Sequence, residues 1–350
     1  MKAVSGVSRQ TLVKVGTAVV VLVALLAAVG CGSDDENGSS GGSSSDSGGG
    51  TLDLVAYSTP ESVYQDVLEP AFEKTPDGAG VSFNSSFGAS GDQSRAVEAG
   101  QPASVVHFAQ GGDMIRLVES GDVARDWDKN KYKGIAQDSV VSIVTRKGNP
   151  EGIESFDDLI SKDISIVTPN PIASGGARWN IMAIYGSQLH QGKSDAEALE
   201  AVKTVLSKAE VQPSSASDAL AAFTQGQGDV LISYENEAIR AQNEGEDIDY
   251  VVPDSTILIE TPIAVTVDAP PAAQAFVDFL WSDEGQRLWG ENGYRPVNPK
   301  LVDPKQFPTP SDLFTIAEFG GWESVNDEFF DEATGKVTEI EQELGVPTAG

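Results

Sequence analysis

Between residues 51 and 300 this chain alternates short apolar runs with stretches of helical period. That alternation constrains the fold more than any other feature. The runs are LDLVAYS (52–58), VSFNSSF (81–87), SVVHFA (104–109), SVVSIVT (139–145), ISIVTP (164–169), EVQPSS (210–215), DVLISY (229–234), IDYVVP (248–253) and ILIETPIAVTV (257–267). Among the helix-period segments between them are ESVYQDVLEPAFEKT (61–75), DMIRLVESG (113–121), DAEALEAVKTVLSKA (195–209) and PAAQAFVDFLWSDEGQRLWGEN (271–292). Strands alternating with helices predict an α/β fold with mostly parallel sheets, whose ligands sit at the carboxyl ends of strands. A chain of 350 residues has room for two lobes with a core each. Two long extended runs bounded by turn residues, 138–150 and 255–270, are the candidates for crossing between lobes. Lobe one is then 51–139 plus 265–350, and lobe two is 140–264.

Residues 1–30 read as a signal peptide. Lys2, Arg9 and Lys14 precede the apolar stretch TAVVVLVALLAAVG, too short and wrongly flanked for a lasting membrane span. It ends at Cys31, the sole cysteine, preceded by Ala28-Val29-Gly30. That pattern resembles a bacterial lipobox, with Cys31 as the lipidated residue and Ala28 where leucine is commoner. Residues 31–50 continue as a Ser/Gly-rich tether that buries nothing. A lone cysteine excludes intramolecular disulfides.

The chain carries 23 Lys and Arg against 53 Asp and Glu, a net charge of −30. So acidic a surface argues against nucleic acid or an anionic membrane as partner.

Four strands end in the same punctuation. Ser58-Thr59 precede Pro60, Ser90-Gly91 open a short helical pattern, and Ser174-Gly175-Gly176 open another. Ser214, Ser215, Ala216 and Ser217 open a fourth. A helix leaves its first four N–H groups without intrahelical acceptors, and a Ser or Thr cap satisfies only some of them. Such termini attract anions, and glycine lets an anion approach the backbone. One such terminus is ordinary; four, two from each lobe, predict an oxyanion site. GxxxxGK[ST] is absent.

The blocks VTPNPIASGGARWN (167–180), GDVLISYENEA (228–238), GYRPVNP (293–299) and LFTIAEFGGW (313–322) resemble the periplasmic sulfate-binding proteins of sulfate/thiosulfate ABC transporters, in order over 52–330. The resemblance implies a type II periplasmic-binding fold that closes over one dehydrated sulfate, with no counter-charge in contact. Carried over by position, it implies contacts from the N–H of Ser58, from Ser90, from the Ser174 hydroxyl and from the N–H groups of Gly175, Gly176 and Ala216. Tyr234 stands where the family has an indole donor, and Ser58 where it usually has aspartate. A phenol can also donate one hydrogen bond. The implied partners are sulfate or a related oxyanion and a membrane permease. The receptor is expected to act as a monomer, with no cofactor and no metal.

Arg178, inside the glycine block, reads as structural, pairing with a carboxylate such as Glu235 or Glu237. Those two glutamates read as groups that orient Arg178 or cap a helix, not as a catalytic pair. His107 and His190 have no ligand spacing around them. Trp281, Trp289 and Trp322 read as core, and GYRPVNP as a proline-fixed loop. No GxSxG, no Ser-His-Asp order and no metal-ligand cluster supports a hydrolase. Thiosulfate, molybdate or another tetrahedral oxyanion remains open as the ligand, as does a surface lipoprotein that uses the fold for interaction alone.

Overall fold

The computed structural model describes residues 50–346. The signal peptide, Cys31 and nearly all of the tether lie outside the described residues.

The sheet order is β2-β1-β3-β9-β4-β7-β5-β6, with β10 pairing β9 and β8 pairing β4. In the first half, β1 (Thr51–Tyr57) lies parallel between β2 (Ser82–Gly88) and β3 (Val105–His107). The helical run α1 (Glu61–Val63) and α2 (Glu69–Phe72), joined through a π-helical turn, connects β1 to β2. Next come α3 (Ser90–Glu98) and α4 (Gly111–Ser120). Leu52, Leu54 and Ala56 alternate into a core with Tyr64, Phe72, Phe276 and Trp289, as period-2 patterning requires.

The two expected crossing segments are single long strands. β4 (Ile135–Arg146) and β9 (Ser255–Val265) pair antiparallel over Val140–Ile135 and Leu258–Pro262. β4 then continues against β7 (Val230–Tyr234) and β8 (Ile248–Val251), while β9 ends against β3. The sheet is therefore mixed, not mostly parallel. The chain leaves one half along β4 and returns along β9, so these strands must oppose each other and several neighbours. The second half also holds α5 (Phe156–Ser161), β5 (Ile166–Val167), α6 (Gly175–His190), α7 (Asp195–Ser207), β6 (Ala209–Val211), α8 (Ala216–Thr224) and α9 (Glu235–Asn243). The long helical pattern at 271–292 is two helices, α10 (Pro271–Trp281) and α11 (Asp283–Glu291). Ser282 breaks it, because its hydroxyl caps the second helix through Gly285 N–H at 3.1 Å.

Helix α6 buries Ala177, Trp179, Ile181, Met182, Ala183, Ile184 and Tyr185. A helix apolar on every side must be covered on every side. The sheet covers one side. The other is covered by the C-terminal segment, β10 (Asp312–Phe314), α12 (Gly321–Val325) and α13 (Lys336–Glu343). Phe314, Trp322, Phe329, Phe330 and Val337 share the core of α6 and α7, and Trp322 meets Trp179 edge-on at 4.6 Å. Residues from 312 onward therefore pack on α6 and α7 and, through Trp322 and Asn326, against the start of α4, so 265–350 does not lie wholly in lobe one as the sequence predicts. Nothing in the local sequence of 312–346 records which face it covers.

His190 closes the far end of α6. Its Nδ1 lies 2.8 Å from Asp312 Oδ1 and its Nε2 3.2 Å from Glu318 Oε2. The hydrogen bond that it donates to Asp312 raises its pKa above the ordinary imidazole range, against some burial. The stabilisation is therefore full below about pH 6.5, the unfolded value, and is lost as pH rises through the folded one. Thermal unfolding should show a lower Tm at pH 8.5 than at pH 6, and His190→Gln should shrink that difference.

Candidate functional site

The four serine-marked junctions converge. Tyr57, Ser58, Thr59, Gly88, Ala89, Ser90, Ala109, Ser174, Gly176, Ser215 and Ala216 line one small cavity. Larger hollows exist on the surface, but none of them gathers these junctions. Ser58, Thr59 and Ser90 come from the first half of the sheet, and Ser174, Gly176 and Ala216 from the second.

Each junction is built by a local rule. Ser174 is the N-cap of α6 and accepts the Ala177 N–H at 3.3 Å, which leaves its own O–H to donate. Gly175 and Gly176 are the first two helical residues. Their N–H groups have no acceptor a turn earlier and find no backbone acceptor among the described residues. Ser215 caps α8, accepting from Asp218 N–H at 3.1 Å and donating to Asp218 Oδ2 at 2.7 Å. Ala216 N–H is left in the same orphan position. Ala89 precedes α3, and Ser90 is its first residue. The Ser90 hydroxyl is fully committed: it donates to Asp113 Oδ2 at 2.6 Å and accepts from Ala109 N–H at 2.9 Å. Its backbone N–H is what it can offer the cavity.

The glycines differ in role. A Cβ on Gly176 would stand 3.4 Å from Ala216 Cβ and Ser174 Oγ and 3.5 Å from Tyr234 Cε1, in the midst of the second-half donors. A Cβ on Gly175 would stand 3.0 Å from Ala109 Cβ and 3.2 Å from Ser90 Cβ, across the gap between the halves. Trp179 Nε1 crosses the same gap to Ala109 O at 2.7 Å. Tyr234 lies behind the cavity wall. It is buried, and its hydroxyl has no partner among the described residues. Burial pushes the phenols of Tyr57 and Tyr234 up, so both keep their protons as donors. Burial holds His107 down at about 3; it is a neutral ring between the Tyr64 and Thr261 hydroxyls.

No lysine, arginine or carboxylate is among the described residues lining the cavity. The site offers oriented N–H and O–H groups around a small cavity, so it can hold an anion by dipoles. It presents no nucleophile–base pair, and the described residues contain no cluster of metal ligands.

A model of bacterial extracellular solute-binding proteins matches residues 52–295. The sulfate-binding protein of Synechococcus elongatus is 38% identical over 291 residues, covering 79% of this chain and 83% of that protein. The chain belongs to the sulfate-binding-protein family of bacterial extracellular solute-binding proteins. Within this family it is also 32% identical, over 79% of its length and 88% of the other's, to a thiosulfate-binding protein of Pseudomonas aeruginosa. The solved sulfate-binding protein SubI of Mycobacterium tuberculosis H37Rv superposes with a TM-score of 0.77 at 42% identity, covering 80% of this chain and 99% of that one. These relatives are named as binding proteins, in line with the expectation of a binder and not an enzyme.

Two expectations are corrected. Arg178 does not pair with Glu235 or Glu237. Its guanidinium donates to Pro171 O at 2.9 Å, Asn326 Oδ1 at 2.8 Å and Ile172 O at 3.4 Å, and lies over the Phe330 ring. It stitches the loop before α6 to the C-terminal segment. Glu235 pairs instead with Arg295 of the GYRPVNP loop, at 2.7 and 3.1 Å. Glu237 is buried with the Ser233 hydroxyl 2.6 Å from it. Tyr57, Thr59, Gly88, Ala89, Ala109 and Ser215 also line the cavity, outside the residues that the resemblance implied. For Thr59 the sequence signal was the serine-threonine-proline junction itself.

Proposed function

We propose that this protein is a lipid-anchored extracytoplasmic receptor, tethered through Cys31, that captures sulfate and delivers it to an ABC permease, acting as a monomer. The observation that carries the reading is the convergence, from both halves of the sheet, of helix-terminal N–H groups and hydroxyls on a cavity without charged walls. Ser58, Ser90, Ser174, Gly175, Gly176, Ala216 and Tyr234 are its ligand set. Sulfate has four oxygens that only accept, so a set of donors leaves none of them unpaired. Monohydrogen phosphate brings a proton that needs an acceptor; a buried unpaired donor costs about 1–3 kcal/mol. Hinge motion along β4 and β9 would open and shut the cavity. Calorimetric titration of residues 51–350 with sulfate, phosphate and chloride tests the assignment: one tight sulfate site is expected, and preference for phosphate would refute it.

Ser174→Ala removes one hydrogen bond to a charged ligand. Sulfate binding should weaken by about 1.5–3 kcal/mol, read from the same titration, and the apo Tm should fall as well, because the α6 N-cap is lost at a cost of about 1 kcal/mol. Thiosulfate is the second reading, favoured by the thiosulfate-binding relative and by Tyr234 at the indole position. Displacement of bound sulfate by thiosulfate distinguishes the two.

A further inference from the structure

We propose that Thr59 supplies an additional side-chain hydrogen bond to the bound oxyanion from the first half of the molecule. The inference rests on the sulfate reading above and deepens it. Thr59 is 2% exposed and lines the cavity. Its Oγ1 is shut off from solvent and has no hydrogen-bond partner among the described residues.

A hydroxyl in such a place is costly. Burying one without a partner is unfavourable, and valine has nearly the same shape without the penalty. The other buried hydroxyls of the same wall each have protein partners. Ser90 is held between Asp113 and Ala109, Ser215 is held by Asp218, and Tyr57 accepts from Gln137 Nε2 at 2.9 Å. Thr59 stands apart from them. It also forms no cap on the helical run that follows: no side chain caps α1 at Pro60. A free hydroxyl in the wall of an uncharged cavity that collects N–H donors matches an oxygen of a tetrahedral oxyanion, which can accept its hydrogen bond. Thr59 then adds a directional contact to the Ser58 N–H beside it. It makes the first half's grip depend on a side chain as well as on the backbone.

The test compares the wild-type protein with Thr59→Val and Thr59→Ser, titrated with sodium sulfate in a calorimeter and heated with and without sulfate. The proposal predicts that Thr59→Val weakens sulfate binding about tenfold or more. The apo protein should keep its Tm or gain slightly, because an unpaired buried hydroxyl has gone. Thr59→Ser should stay within about threefold of wild type, since it restores the hydroxyl. Unchanged sulfate affinity in Thr59→Val overturns the proposal. So does a fall of several degrees in apo Tm with weak binding in both variants, which marks a structural role. Absence of sulfate binding in the wild type is a separate outcome, and it overturns the sulfate reading itself.

Discussion

Gly176→Val should abolish sulfate binding while the protein stays folded. A Cβ at this position meets Ala216 Cβ, Ser174 Oγ and Tyr234 Cε1 at 3.4 to 3.5 Å, ordinary contact distances, so alanine fits the fold. Those neighbours are the second-half groups assigned to the anion, so added carbon occupies the anion's own place. It separates the ligand from the Gly176 N–H and crowds the Ser174 hydroxyl. Losing two charge-assisted hydrogen bonds removes about 3–6 kcal/mol, more than a hundredfold in affinity. Valine, with two further carbons, should leave no measurable binding at millimolar sulfate, with circular dichroism unchanged. Gly176→Ala should be intermediate. A Gly176→Val protein that still binds within tenfold of wild type would show that the anion sits elsewhere.

The second large effect concerns stability. Arg295→Met should destabilise the protein by about 3–5 kcal/mol, the cost of leaving a buried carboxylate without its partner. Glu235 is 2% and Arg295 11% exposed at the side chain, and the guanidinium spans both carboxylate oxygens. Burial raises the Glu235 pKa while Arg295 pulls it back. Removing the cation leaves the desolvation unopposed. Urea unfolding of Arg295→Met, Glu235→Gln and the double variant separates the pair from its parts, and the double variant should recover much of the loss. A change below 1 kcal/mol in Arg295→Met would show that water already reaches the pair. The pair also bears on the site. The Arg295 backbone bridges to Asp138 in β4, and Glu235 follows Tyr234 directly, so the loop fixes the end of β7 on which Tyr234 stands.

What the sequence made legible was local. Serine caps, bare glycines and the period of each run are written within a few residues, and they led to β1–β9 and to four junctions that meet at one cavity. The unread parts depend on groups distant in the chain. Arg178 sits in a block full of signal, yet it spends its hydrogen bonds on the carbonyls of Pro171 and Ile172 and on Asn326, 148 residues away. Residue type foretells a carboxylate partner but carries no record of a carbonyl. Glu235 and Arg295 lie 60 positions apart, and only the antiparallel course of β4 and β9 brings their segments together. Thr59 was legible only as part of the serine-threonine-proline junction. That its hydroxyl is unpaired is something a sequence cannot show.

On this reading uncharged backbone groups, not cations, hold the dianion between the halves. The most direct measurement is a sulfate titration of ¹⁵N-labelled residues 51–350 followed by NMR. The amide protons of Ser58, Ser90, Gly175, Gly176 and Ala216 should shift downfield together at one equivalent of sulfate. Saturable binding that leaves those amides unmoved and perturbs only lysine- and arginine-bearing surface segments would contradict it.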